Sequence, residues 1–292
     1  MGVKPRMHMA QSESIINSPT QKIIIEEKRS GLLRVDWAEL WEYRGLLYTL
    51  VEREIKIRYK QTAIGVSWVL LQPLIAMLIF TAIFGQIAKM PSDGIWYPAF
   101  VLTALLPWGY FSQAITRSGA SLVSSANLVT KVYFPRMLLP LSAIVTPLID
   151  FLLSMGLLFG LLMYAGIPLT WKVITLPVFV LIAMLAAMGL SLFVSATNVK
   201  YRDVGHAIPF VVQIWMFVSP IVYPVSLVPE RWKLLYGLNP MVGVIEGFRW
   251  ALLGKSAPDP FMMGLSIVMV LGVLVGGIVY FRQMEREFAD II

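Results

Sequence analysis

The chain has 292 residues, of which 58% are hydrophobic and only 14% charged, with a net charge of +7 and no cysteine. Soluble domains carry roughly 25% charged residues, so an ordinary soluble protein is excluded, and disulfides, thiolate chemistry and cysteine-held metals are excluded with it. Two histidines, His8 and His206, are too few for a metal or triad site, and the basic residues flank apolar runs, which points to topology and lipid headgroups rather than nucleic acid.

Residues 1–35 hold no apolar core of the kind a signal peptide needs. They are expected to form a cytosolic tail, with the first apolar span kept in the mature protein. Residues 36–60 read differently. Trp37, Leu40, Trp41, Leu47, Tyr48, Val51, Ile55 and Tyr59 recur at helical spacing, with Glu39, Glu42, Arg53, Lys56 and Lys60 on the opposite face. Asp36 followed by Glu39 resembles a capping box. An amphipathic helix with Trp and Tyr on its apolar side is expected to lie flat in a membrane interface, turning through the stretch KQTAIG into the first span.

From residue 61 to 285 the sequence predicts an all-α polytopic membrane domain. A helix crossing about 30 Å of hydrocarbon needs roughly 20 apolar residues. Six runs qualify: Ile64–Ile87, Pro98–Thr116, Leu138–Ala165, Val173–Asn198, Val204–Val228 and Phe261–Phe281. The runs show no period-2 alternation, which disfavours strands. Pro73, Pro107, Pro147, Pro177, Pro209 and Pro220 fall inside them and are each expected to kink a helix. With both termini inside, eighteen Lys and Arg lie on the cytosolic side and six outside. This asymmetry places residues 1–35 and the short tail 286–292 in the cytosol. The outer segment of about 229–260 is basic yet partly apolar. Within it Glu246 and Arg249, three apart, share a helix face. They fit either a helix dipping back into the membrane or a surface helix with an ordinary ion pair.

Chemical constellations are sparse. The GKS at 254–256 lacks the glycine a P-loop requires, since position 249 is Arg; any ATP that drives this protein binds another chain. Asp150 alone is ionisable deep within a run. Such a residue is costly in lipid and either functional or a helix–helix hydrogen-bonding group. Arg117 is expected to snorkel to the headgroups, and His206 to pack at the interface. Trp108, Tyr110 and Trp215 lie deep in their runs. They are candidates for a sliding contact with sugar rings, or for ordinary packing.

The stretches REIKIRYKQTAIGVSWVLLQPL, NLVTKVYFPRMLLPL, VSPIVYPVSLVPERWKLLYGLNPM and VIEGFRWALLG together resemble the membrane subunit of ABC-2-type polysaccharide exporters, which move O-antigen, capsule or teichoic acid chains on lipid carriers. The resemblance covers about residues 36–285. It implies that Glu52, Arg53, Lys56, Arg58, Tyr59 and Lys60 end an interface helix that meets the ATPase subunit and borders the cytosolic gate. It implies a coupling helix for the ATPase groove at Asn127, Leu128, Val129, Lys131, Tyr133, Phe134, Pro135 and Arg136. It makes the Glu246 helix the second of two re-entrant helices. The implied assembly is a permease homodimer with two copies of a separate ATPase that bind ATP and Mg, no cofactor in this chain, and a lipid-linked polysaccharide as substrate, in the bacterial cytoplasmic membrane. An ABC-2 exporter of drugs or small lipids shares this architecture. A membrane-embedded glycosyltransferase should instead show converging carboxylates or metal ligands, and none is evident here.

Overall fold

The computed structural model describes residues 37–60, 67–254 and 257–288. Asp36 of the capping pair, the tail 1–35, most of the KQTAIG turn, the start of the first run, Lys255 with Ser256 and the last four residues lie outside them. Every regular element among the described residues is helical.

The N-terminal amphipathic segment is two helices rather than one: α1, Trp37–Glu42, and α2, Arg44–Tyr59, meeting at Tyr43. Its packed face also differs from the expected one. Tyr43, Leu46, Leu47 and Leu50 turn toward the protein, whereas Trp41 and Tyr48 are 70% and 71% exposed. The expected apolar stripe therefore splits in two. One side packs against the bundle, and the aromatic side faces outward, where a Trp and a Tyr suit a lipid interface.

The first run forms α3, an α-helix over Ser67–Phe80 that widens into a π-helix over Thr81–Ile87, where the Ala88 amide reaches back to Ile83 O at 2.8 Å. Pro98 lies in the first turn of α4, Tyr97–Ser124, where its missing amide is not needed. Pro107 sits inside α4, Pro73 inside α3, Pro147 inside the helix Leu138–Tyr164 and Pro209 inside the helix Asp203–Val218. The other two prolines act otherwise than expected. Pro177 lies in the opening turn of its helix, and Pro220 lies beyond the end of one. After α5, Ala126–Lys131, come α6, Leu138–Tyr164, then a 3-10 turn at Trp171–Thr175 leading into α7, Leu176–Lys200, and α8, Asp203–Val218.

Among the described residues, four helical stretches are long and apolar enough to cross a membrane: Ser67–Ile87, Leu138–Tyr164, Trp171–Lys200 and Pro260–Glu285. The other two expected spans depart from that standard for different reasons. At 1.5 Å per residue α4 is about 42 Å long, but it carries Ser, Thr, Gln and Arg117 and is buried along most of its length. It is the central helix, packed against α3, α6, α7, α8 and the later helix Pro240–Leu253, so little of it needs an apolar coat. The run Val204–Val228 is α-helical only to Val218, with a single 3-10 turn at Val225–Leu227 near its end; α8 stops at Ser219–Pro220, about 24 Å long and short of a full crossing.

Beyond α8 the chain makes two short helices, α9, Glu230–Gly237, and α10, Pro240–Leu253, before the final helix α11, Pro260–Glu285. Asn239 caps α10 by accepting from the Met241 amide at 3.0 Å, and Gly254 ends it in the left-handed region at φ 69°. Asp259 caps α11 the same way, with the Phe261 amide at 2.9 Å. α10 is buried against α4, α7 and α11.

Between α7 and α11 the backbones touch. A Cβ at Gly277 would run into the carbonyl of Gly189, and one at Gly189 would lie 2.6 Å from Leu274 Cα. Lipid tails are as apolar as the side chains, so helix association in a membrane rests on close packing of this kind.

Candidate functional site

A cavity of about 160 Å³ opens between α3, α4 and α6 and is bordered by Arg58 at the end of α2. Its apolar wall includes Val69, Leu106 and Phe151; its polar wall includes Gln72, Gln113, Ser154 and Asp150. Trp108 and Tyr110 line it from α4. Both are buried within the chain, and among the described residues the Tyr110 hydroxyl has no hydrogen-bond partner. Trp215, half-buried on α8, stacks edge-on against Trp108 at 6.3 Å and Phe111 at 5.4 Å. The three sequence-selected aromatics therefore split. Two face an internal cavity, and the third backs one of them.

Asp150 is not alone. Arg58 forms an ion pair with it and Tyr59 Oη donates to it, across ninety-one residues of sequence. Arg58 also donates to Gln113 Oε1 at 3.2 Å. The Asp150 side chain is 6% exposed and that of Arg58 18%. Burial, followed by the hydrogen bond to Asp150, pushes the Tyr59 phenol up to about 12. These contacts pin the end of α2 to the middle of α6, at the edge of the cavity. The remaining expected members of the α2 group face solvent: Lys56 pairs with Glu52 at 2.6 Å, Arg53 with Glu54 at 3.2 Å, and Lys60 is exposed. Surface pairs of that kind contribute little.

The stretch from Asn127 to Arg136 divides by role. Val129 and Phe134 are buried in a second apolar cluster with Leu50, Leu122, Phe281 and Phe288. Asn127, Leu128 and Lys131 belong to α5, and Pro135 follows it. Tyr133 is 75% exposed and Val132 is exposed beside it. Arg136 points inward and donates to the Glu285 carbonyl at 2.6 Å, where a cation complements the C-terminal end of α11. The loop is thus anchored by Phe134 and Arg136 and presents Tyr133.

Glu246 and Arg249 do share a face and pair at 3.1 Å, but the pair is not a surface one. Arg249 is fully buried; it donates to Ile221 O at 3.0 Å and lies 3.5 Å from the centroid of Phe100. Three further contacts hold the same segment after α8: Tyr97 Oη to Val222 O at 2.8 Å, Asn239 Nδ2 to Ser219 Oγ at 2.9 Å, and Tyr236 Oη to Tyr223 Oη at 3.2 Å. Sequence reasoning missed Tyr97, Asn239 and Tyr236, as well as Gln72, Gln113 and Ser154 at the cavity. The two glutamines were a readable signal, being uncharged polar residues inside apolar runs. Among the described residues no group of His, Asp and Glu is placed to hold a metal ion.

The profile of the ABC-2 type transporter family matches residues 45–253. The chain is 34% identical over 258 residues to the O-antigen export system permease protein RfbA of Myxococcus xanthus, covering 87% of this chain and 98% of that one. It is 26% identical to RfbA of Klebsiella pneumoniae, covering 85% and 95%. It is 23% identical to the polysialic acid transport protein KpsM of Escherichia coli, covering 80% and 91%. With several helices apolar enough to span a bilayer and a family match over most of its length, the chain belongs to the ABC-2 type transporters, as a multi-pass membrane permease and not an enzyme.

Proposed function

We propose that this chain is the permease subunit of an ATP-driven exporter that carries a lipid-linked polysaccharide, O-antigen foremost, across the bacterial cytoplasmic membrane. The likeness to an O-antigen export permease over 98% of that relative's length carries the reading. In this proposal two copies form the pathway, and two copies of a separate ATPase bind ATP and Mg. The six apolar helices each take one crossing, with α4 shielded at the centre and α8 completed by the segment after Val218. Both termini are cytosolic, on the eighteen-to-six charge asymmetry. α9 and α10 are the re-entrant pair that closes the outer end.

Each part of the site then has a task. Tyr133 and its neighbours seat in the ATPase, and Phe134 and Arg136 pass the displacement to α11. The end of α2, from Glu52 to Lys60, borders the gate and reports to the cavity through Asp150. Trp108, Tyr110 and Trp215 supply the aromatic wall along which sugar rings slide. Deletion of the gene should abolish surface polysaccharide while undecorated carrier-linked polymer accumulates inside. Complementation by the native chain should restore it, and unchanged surface polysaccharide in the deletion strain would refute the assignment.

A further inference from the structure

A second, smaller cavity of about 50 Å³ lies between α2, α4 and α6. Its volume exceeds the roughly 10–15 Å³ that one water needs. It is lined by Arg53 and Arg117 together with the hydroxyls of Ser121, Ser124, Ser142 and Thr146. Arg53 is engaged by Glu54 at 3.2 Å on the exposed rim. Arg117 is different. It is half-buried, its charged neighbours Arg58, Asp150 and Glu54 act on it only at a distance, and among the described residues no hydrogen bond or ion pair holds it. Its neighbour Arg58 is already committed to Asp150 and Gln113.

The expectation that Arg117 merely snorkels does not account for the hydroxyls around it. Each of the four donates to a carbonyl three or four residues back on its own helix, at 2.7 to 3.2 Å. Rotation about χ1 between staggered wells would turn such a group toward an oxyanion instead. A planar guanidinium with five donors, a second on the rim and a ring of hydroxyls is the donor set of a phosphate-class anion, which accepts through several oxygens. A carboxylate, Glu54, already occupies the rim arginine and would be displaced by a more highly charged group.

We infer that the Arg53–Arg117 cavity binds a phosphate or diphosphate group borne by a lipid. The anion chemistry stands on these residues; that the lipid is the polymer's carrier rests on the exporter reading above. Such a site would hold the charged end of the substrate within one subunit, beside the helix that the Asp150 contacts fix in place.

The test uses the purified full-length permease in phosphate-free detergent, with farnesyl diphosphate as probe and farnesol as its uncharged control. Farnesyl diphosphate should bind at least tenfold more tightly than farnesol. R117Q and R53Q should each weaken it about tenfold or more, the effect of losing one charge-assisted contact, while R231Q on α9 leaves it unchanged. R117K keeps the charge but not the fork, so intermediate binding by it separates recognition from misfolding. Displacement of the probe by inorganic diphosphate shows that the site reads the phosphate end, and displacement by phosphatidylglycerol shows that a membrane phospholipid bears it; both support a lipid-phosphate site. Native-like binding by both R117Q and R53Q, or equal binding of farnesol, overturns it. That result would leave the exporter assignment standing, because surface polysaccharide in the deletion strain is scored independently.

Discussion

Replacing Asp150 by Leu tests whether the end of α2 is held by charge. The change strands Arg58, whose side chain is 18% exposed and keeps the 3.2 Å contact to Gln113 and its place over the Tyr59 ring. Breaking one partner out of a buried pair costs about 3–5 kcal/mol, and the remaining exposure of Arg58 puts this case near the lower end, about 3 kcal/mol. The same substitution removes the hydrogen bond from Tyr59. Arg58→Met leaves Asp150 with Tyr59 as its donor and should cost less than Asp150→Leu. The double variant Asp150→Leu/Arg58→Met contains neither charge and should recover most of the loss, since a buried pair replaced by apolar residues is often neutral. Unfolding of the detergent-solubilised chain by a graded denaturing surfactant gives all three values and hence the coupling energy. Limited proteolysis within α2 shows where the loosening occurs. A coupling below about 0.5 kcal/mol, with the two single effects simply adding, would refute the clasp and return Asp150 to the status of an isolated polar group.

Tyr59 offers a pH test: its phenol titrates at about 12 in the folded chain against 10.0 for the free group. The unfolded chain releases this proton first, so the contribution of Tyr59 is fully present below pH 10 and is lost as pH rises through about 12. Unfolding measured from pH 9 to 12 should show that decline in the native chain and lack it in Tyr59→Phe. Tyr133→Ala, which alters an exposed side chain, should abolish co-purification of the ATPase subunit and leave the unfolding midpoint unchanged. Arg136→Glu should also lower stability, by about 1–3 kcal/mol, because it loses the Glu285 carbonyl and brings a second carboxylate beside Glu285. Gly277→Ala should reduce folded yield and stability by about 1–3 kcal/mol, whereas Gly276→Ala, with open space around its Cβ position, should be neutral; equal behaviour of the two would refute the α7–α11 contact.

Hydropathy located the long helices because crossing a bilayer is a demand on composition, and composition is local. The same reasoning overran at Val204–Val228, where the residues after Val218 stay apolar yet leave the helix at Ser219–Pro220. Apolarity records burial, whether in lipid or in protein, and does not distinguish a helix from a turning segment stitched down by Tyr97, Asn239 and Arg249. The amphipathic reading of residues 36–60 found the helix but not its packed side. Two apolar stripes were present, and only the position of α6 decides which one faces inward. Asp150 looked solitary because its partners Tyr59 and Arg58 lie ninety-one and ninety-two residues away and arrive from a different element. Arg249 could be paired with Glu246 from spacing alone, but its complete burial depends on α4 and the segment after α8. In each case the residue type was visible in the sequence and its partner was supplied by the tertiary fold.

The backbone contact between Gly189 and Gly277 bears on how the protein can move. Two helices that meet carbonyl to Cα cannot slide or roll past one another without opening a void, and side-chain rotation has nothing to offer where there are no side chains. α7 and α11 therefore act as a single girder. The Arg136 contact ties the loop around Tyr133 to the C-terminal end of that girder, so under the proposed coupling role a push at the loop would reach it without slack. Whatever flexes when the exporter cycles must then be sought on the other flank, around α2, α3 and α8. There the packing runs through aromatic rings, a π-helical turn and an ion pair, all of which have more than one way to sit.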